Sequence, residues 1–101
     1  MRSMPETLTL GDFFERVGEE FRVAGPGAPV VLALVEATDL TRPGTPGRPR
    51  SPFSLVFRGP LDPVMPQRTY PLEHSALGRL DIFLVPIGPD ASGMRYEAVF
   101  N

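Results

Sequence analysis

Phe53-Ser54-Leu55-Val56-Phe57-Arg58, Leu80-Asp81-Ile82-Phe83-Leu84-Val85 and Met94-Arg95-Tyr96-Glu97-Ala98-Val99-Phe100 are the runs that decide the fold. Each is short, rich in β-branched and aromatic residues, and bounded by proline or glycine. Phe53, Leu55 and Phe57 recur at a spacing of two, which places them on one face of an extended chain. Gly59-Pro60 closes the first run, Gly78 precedes the second, and Gly88-Pro89-Asp90-Ala91-Ser92-Gly93 reads as a hairpin loop into the third. The half of the chain from Ser51 to Asn101 is therefore spent on a β core.

Upstream, Glu20-Phe21-Arg22-Val23 alternates and predicts a first short strand. After the turn signal Gly25-Pro26-Gly27, the apolar run from Pro29 to Ala37 predicts a central strand covered on both faces. Thr9 to Val17 predicts a short helix. Leu10, Phe13, Phe14 and Val17 form one apolar stripe, Thr9 stands at the cap, Asp12 at the third helical position, and Gly18 at the stop. Two turns do not stand alone, so this helix must dock on the β core. Pro60, Pro63 and Pro66, three apart, predict an extended polyproline-like crossing. Arg68-Thr69-Tyr70-Pro71-Leu72-Glu73 predicts an edge strand, because Pro71 lacks a ladder donor. Residues 40–52, with prolines at 43, 46, 49 and 52, predict a long exposed hairpin loop.

The fold expectation is mainly β: a small antiparallel β-barrel or sandwich of about six strands, with one short N-terminal helix, as a single domain over residues 1–101. Barrel and sandwich share the same alternation, so the pattern leaves both open.

Composition narrows the function classes. The 101 residues include no cysteine, which removes disulfides, thiolate nucleophiles and zinc-thiolate sites. The formal net charge of -2 argues against general nucleic-acid binding. No apolar run approaches the length of a membrane span, and Met1 to Glu6 shows no secretory apolar region. The expected location is cytoplasmic, or outside the cell as part of a particle that needs no signal peptide. Charge is uneven along the chain. Residues 1–41 hold seven acids against three arginines, whereas Arg42 to Arg58 holds four arginines and no acid. Arg42, Arg48 and Arg50 are thus candidate contacts to an acidic protein partner or to a neighbouring copy of the chain. The alternative is a solvated loop kept soluble by arginine and proline.

Gln67, Arg68, Thr69, Tyr70, Glu73, His74 and Ser75 make the densest polar cluster. His74 is the one histidine. A hydrolase reading makes it a general base, oriented by Glu73 or Asp81, with Ser75 or Thr69 as nucleophile. Adjacent residues of a strand face opposite ways, which sets Glu73 and Ser75 poorly for bonding to it. A turn histidine that caps backbone groups near Gly78 is the simpler reading. A single histidine makes a poor transition-metal site, the acids lack calcium-loop spacing, and no phosphate-binding glycine loop is present. The residues therefore predict no catalytic, metal or cofactor site. Gln67, Tyr70 and His74 remain candidate interaction residues, or the lining of a ligand-binding barrel mouth. The seven phenylalanines are read as core, and any that stand exposed would mark an assembly surface.

Taken together, Phe53 to Pro60, Pro66 to His74, Leu77-Gly78, Phe83 to Gly88 and Tyr96 to Asn101, with Phe13, Gly18 and Phe21, resemble a family of small bacterial proteins known only as a domain of unknown function. The likeness covers nearly the whole chain except the Arg/Pro loop. Its members are often encoded beside phage-tail-collar-like proteins, including those named microcystin-dependent. The resemblance implies a part in assembling or capping a fibre or tail-like particle, and it assigns no catalytic residues. The expected function is a non-enzymatic interaction or assembly module whose partner is a tail-collar-like protein or further copies of itself. A small-molecule-binding β-barrel and a hydrolase centred on His74 are the alternatives.

Overall fold

The computed structural model describes residues 9–25, 30–41 and 52–100. Helix α1 (Leu10–Phe14) leads into strands β1 (Glu20–Val23), β2 (Val30–Asp39), β3 (Phe53–Gly59), β4 (Arg68–His74), β5 (Gly78–Asp90) and β6 (Gly93–Phe100). Neighbouring strands all pair antiparallel, and the sheet closes into a barrel in the order β1-β2-β3-β6-β5-β4. Closure decides between the two predicted architectures. It also protects the backbone, since a closed sheet has no edge to leave unpaired.

Antiparallel pairing gives the barrel two distinct ends. The starts of β1, β3 and β5 and the finishes of β2, β4 and β6 share one end with α1, here called the helix end. At the other, β3 hands over to β4. In the six-strand ring these two strands stand three places apart in either direction, so the Pro60–Gln67 connection has to cross the barrel mouth. This is the strap end. The predicted proline-spaced crossing is thus a strap over one mouth.

Alternation fills the interior. Phe21, Leu32, Leu34, Phe53, Leu55, Phe57, Leu72, Leu80, Ile82, Leu84 and Tyr96 are all buried there. A six-strand barrel is narrow enough for its inward side chains to meet across the axis.

At the helix end, Phe13 seals the mouth. Its ring centroid lies 5.9 Å from both Phe53 and Phe100 and 6.5 Å from Phe21. The Asp12 carboxylate accepts the Thr9 N–H at 2.8 Å, which fixes the first turn. The predicted stripe is only half right. Leu10 and Phe13 pack on the core, but Phe14 is 64% exposed and Val17 is exposed too. The helix ends at Phe14, so Val17 falls in the following turn and never lies on the helical face. That turn finishes at Gly18, whose φ of +97° a side-chain-bearing residue adopts only under strain.

Two strands depart from expectation. β2 spans the predicted run, but its outer face is not covered: Val31 is 42% exposed. Val35 is an extra residue, because Leu34 pairs with Phe57 while Glu36 pairs with Val56. This bulge moves the inward set from Leu32 and Leu34 to Ala37. A continuous apolar run is here the trace of a bulge, not of two-sided burial. Two-sided burial belongs to β3, where outward Ser54 and Val56 are buried along with inward Phe53, Leu55 and Phe57.

Pro71 does not mark an edge, since the closed ring has none. Its carbonyl accepts the Ala24 N–H at 2.7 Å. Its missing donor therefore falls on the β1 side, just beyond the last residue of that strand, where the ladder gives out anyway. On its other side β4 is paired with β5 along its whole length. The 13-residue β5 is shared: Gly78–Leu84 pairs with β4, and Val85–Asp90 with β6.

Phe83, read as core, is 49% exposed, because it points outward between the buried Ile82 and Leu84.

Candidate functional site

The predicted interaction residues do not converge. Arg42, Arg48 and Arg50 lie outside the described residues. On either side of them, Leu40 donates its N–H to the Pro52 carbonyl at 3.0 Å. Gln67 is exposed at the strap end. Tyr70 is buried, and its hydroxyl donates to the Pro66 carbonyl at 2.5 Å. Burial pushes the Tyr70 pKa up, keeping the hydroxyl a donor. Tyr96 performs the matching task from β6, its hydroxyl oxygen accepting the buried Met65 N–H at 2.8 Å. Both tyrosines therefore hold the strap. His74 sits four residues along β4 from Tyr70, about 13 Å away at the helix end. A single barrel mouth lined by Gln67, Tyr70 and His74 does not form.

His74 points inward with its side chain 2% exposed, its ring 4.6 Å from that of Phe21. Nδ1 accepts the N–H groups of Ala76 (2.9 Å) and Leu77 (3.1 Å), closing the β4–β5 turn. An accepting Nδ1 puts the ring proton on Nε2, which donates to Glu19 Oε1 at 2.6 Å. Both ring nitrogens are occupied, and the bonded carboxylate is Glu19 rather than Glu73 or Asp81. Glu73 is on the opposite face of β4, exposed, and Asp81 lies 3.7 Å from Arg79. Thr69 is paired with Phe83 on the far side of β4 from His74's turn. The turn-capping reading of His74 fits this geometry, with Glu19 as a partner that sequence spacing did not suggest.

One concavity among the described residues lies outside the barrel. A depression of about 700 Å³ opens on the outer wall where the short β1 sits between β2 and β4. Gly18, Glu19, Glu20, Arg22, Val31, Glu73, His74 and Ser75 line it. Alternation on β1 turns Glu20 and Arg22 outward while Phe21 and Val23 face the core. Glu73 arrives from β4 opposite Arg22, and Val31 from β2 opposite it on the other side. Glu19 is held by His74 and lies 4.0 Å from Arg16. Among the described residues, Glu20, Arg22 and Glu73 take no part in an ion pair. The lining thus combines three carboxylates with one guanidinium around an exposed valine. Of these residues only Glu73, His74 and Ser75 belonged to the polar cluster read from the sequence. The outward setting of Glu20 and Arg22 follows from alternation, but nothing in the order of residues says that β1 and β4 are neighbours.

Strong electrostatics occur elsewhere, at the β5–β6 hairpin. Arg58 grips Asp90 through Nη2 at 2.6 Å and Nε at 3.0 Å. The same carboxylate accepts the N–H groups of Ser92 (2.8 Å) and Gly93 (3.0 Å). The Arg58 hydrogen bonds, then that of Ser92, lower the Asp90 pKa to about 2. Beside it a side chain on Gly93 would run into the Gly59 carbonyl, so β3 and β6 approach each other only because glycine stands there. This cluster locks the turn. Among the described residues, no group of three or more histidines or acids gathers as a metal site would need, and no helix is long and apolar enough to cross a membrane.

Fold and surface together define a small closed-barrel domain with a filled interior and a depression on the outer wall. The chain belongs to a family described as a domain of unknown function (DUF6916), whose pattern matches residues 8–100. Neither a curated protein sequence nor a solved structure matches it.

Proposed function

We propose that this chain is a non-enzymatic interaction or assembly module that works through its outer wall, as part of a phage-tail-like or fibre structure. The supporting observation is where space and apolar surface lie. Side chains meet inside the barrel, Phe13 seals one mouth, and the strap with Met65 closes the other. The described depression, and the exposed Phe14, Phe83 and Val99, are all on the outside. Apolar groups that gather on one face are characteristic of surfaces that bury against a partner, and Phe83 and Val99 lie on the outer faces of the neighbouring strands β5 and β6. What weighs against a ligand held inside is the same packing, together with the engagement of Tyr70 and His74 in internal hydrogen bonds. What weighs against hydrolysis is the occupation of both His74 nitrogens.

Co-expression with a phage-tail-collar-like protein tests the reading. The two are expected to co-elute as one complex on size exclusion and to separate when Phe83→Asp and Val99→Asp are introduced. Independent elution of the wild-type pair overturns it.

A further inference from the structure

We infer that the outer-wall depression is the seat of the 42–50 segment of a second copy of this chain, so that copies join by arginine contacts on Glu20 and Glu73. This rests on the assembly reading above and names the partner. The closed sheet offers no edge strand, which leaves side chains to carry any association. The depression supplies a concave seat with an exposed apolar floor at Val31. Glu20 and Glu73 stand on it without ion-pair partners among the described residues, and with Glu19 they outnumber the one cation of the lining, Arg22, which is registered opposite Glu73. The complementary charge is on the same chain, since residues 42–50 carry Arg42, Arg48 and Arg50, three prolines and no acid. Arginine forks match carboxylates bidentately, and closely spaced prolines lower the ordering cost of an extended segment.

Chain geometry makes the occupant a second copy. Val31, the floor, lies ten residues before Thr41 in sequence, about 33 Å along the extended chain. The excursion from Thr41 must return to Pro52, which Leu40 holds by its hydrogen bond. Those eleven links reach out and back over about 19 Å at most. A chain's own segment therefore cannot lie along its own floor at Val31, although Glu73, next to His74 at the helix end, is nearer to it. The segment of a neighbour carries no such tether.

A charge exchange tests this. Sedimentation equilibrium of the wild-type protein is expected to show self-association that weakens as salt rises from about 50 to about 500 mM. Glu20→Arg with Glu73→Arg, and separately Arg42→Glu with Arg48→Glu and Arg50→Glu, are each expected to weaken it at least about tenfold. All these residues lie on the exposed wall or in the Arg/Pro segment, and circular dichroism checks that both variants stay folded. Mixed, the two variants regain association, because each then presents what the other lost. A wild-type protein that stays monomeric at low salt overturns the inference, as does association that both variants leave intact, or a mixture that remains monomeric. A monomer that still co-elutes with the collar-like protein removes this inference alone. Independent elution from that protein removes the particle assignment and leaves self-association to be judged on its own.

Discussion

The two mouths of the barrel are closed by different means. At the helix end, a five-residue helix inserts one aromatic ring among three others. At the strap end, an irregular segment crosses the opening and is tied down by two tyrosine hydroxyls. The difference follows from the backbone. A helical turn satisfies much of its own hydrogen bonding and can present a purely apolar plug. A strap without secondary structure brings free N–H and carbonyl groups to the rim, and the buried Met65 N–H needs an acceptor supplied from the barrel wall. The helix end therefore depends on volume, and the strap end on polar satisfaction.

Substitutions at the two ends break this contrast in graded ways. Phe13→Ala is expected to cost most, about 3–5 kcal/mol in urea unfolding, because it leaves a cavity that the rigid rim cannot close. A loss under about 1 kcal/mol would mean the helix end is not packed as described. His74→Ala comes next, at about 2–4 kcal/mol, since it strips the β4–β5 turn of its acceptor and removes a ring packed on Phe21. Hydrogen exchange of the Ala76 and Leu77 amides should accelerate in the same variant, and unchanged protection would contradict the capping role. At the strap end, Tyr96→Phe preserves ring volume but deprives the Met65 N–H of its partner, for an expected loss of about 1–3 kcal/mol. If it proves neutral, polar satisfaction is not what holds the strap.

Asp90→Asn, at the strap-end hairpin, is expected to act through pH. Its carboxyl is held at about 2, below the ordinary value of about 3.9. A depressed acid stabilises the fold above its unfolded-state pKa and loses that contribution as pH falls through the folded-state value. The wild type should therefore lose stability between about pH 4 and pH 2 more steeply than the variant. Parallel acid titrations would show that the Arg58 grip contributes nothing. The smallest effect belongs to Phe14→Ser, expected to lie within about 0.5 kcal/mol of wild type because the ring faces solvent.

These graded effects also mark what could be read from residue order. Glu20–Val23 and the pleated runs after Phe53 were legible because a period of two writes itself directly into the sequence. Val17 was misread because helical spacing continues on paper after the helix has ended, and Phe14 because the last residue of so short a helix faces solvent beside the inserted Phe13. Val31 was misread because a bulge at Val35 puts apolar residues on both parities without burying both faces. Pro71 looked like an edge because a missing donor says nothing about how far the neighbouring strand extends. The depression was the least legible feature. Glu20 and Glu73 are 53 positions apart, and only ring closure brings their strands together.

That closure has a weak place. Among the described residues β1 and β4 are registered at two positions, Arg22 with Glu73 and Val23 with Leu72, beside one further bond from Ala24 to Pro71. Should thermal fluctuation unzip this junction, the cylinder would become a curled ribbon with two raw margins, each able to recruit strands from other molecules. Glu73 and Arg22 belong to that junction and to the depression alike. Whatever occupies the hollow would thus also clamp the cylinder shut, and saturating it should raise the melting temperature and delay aggregation together.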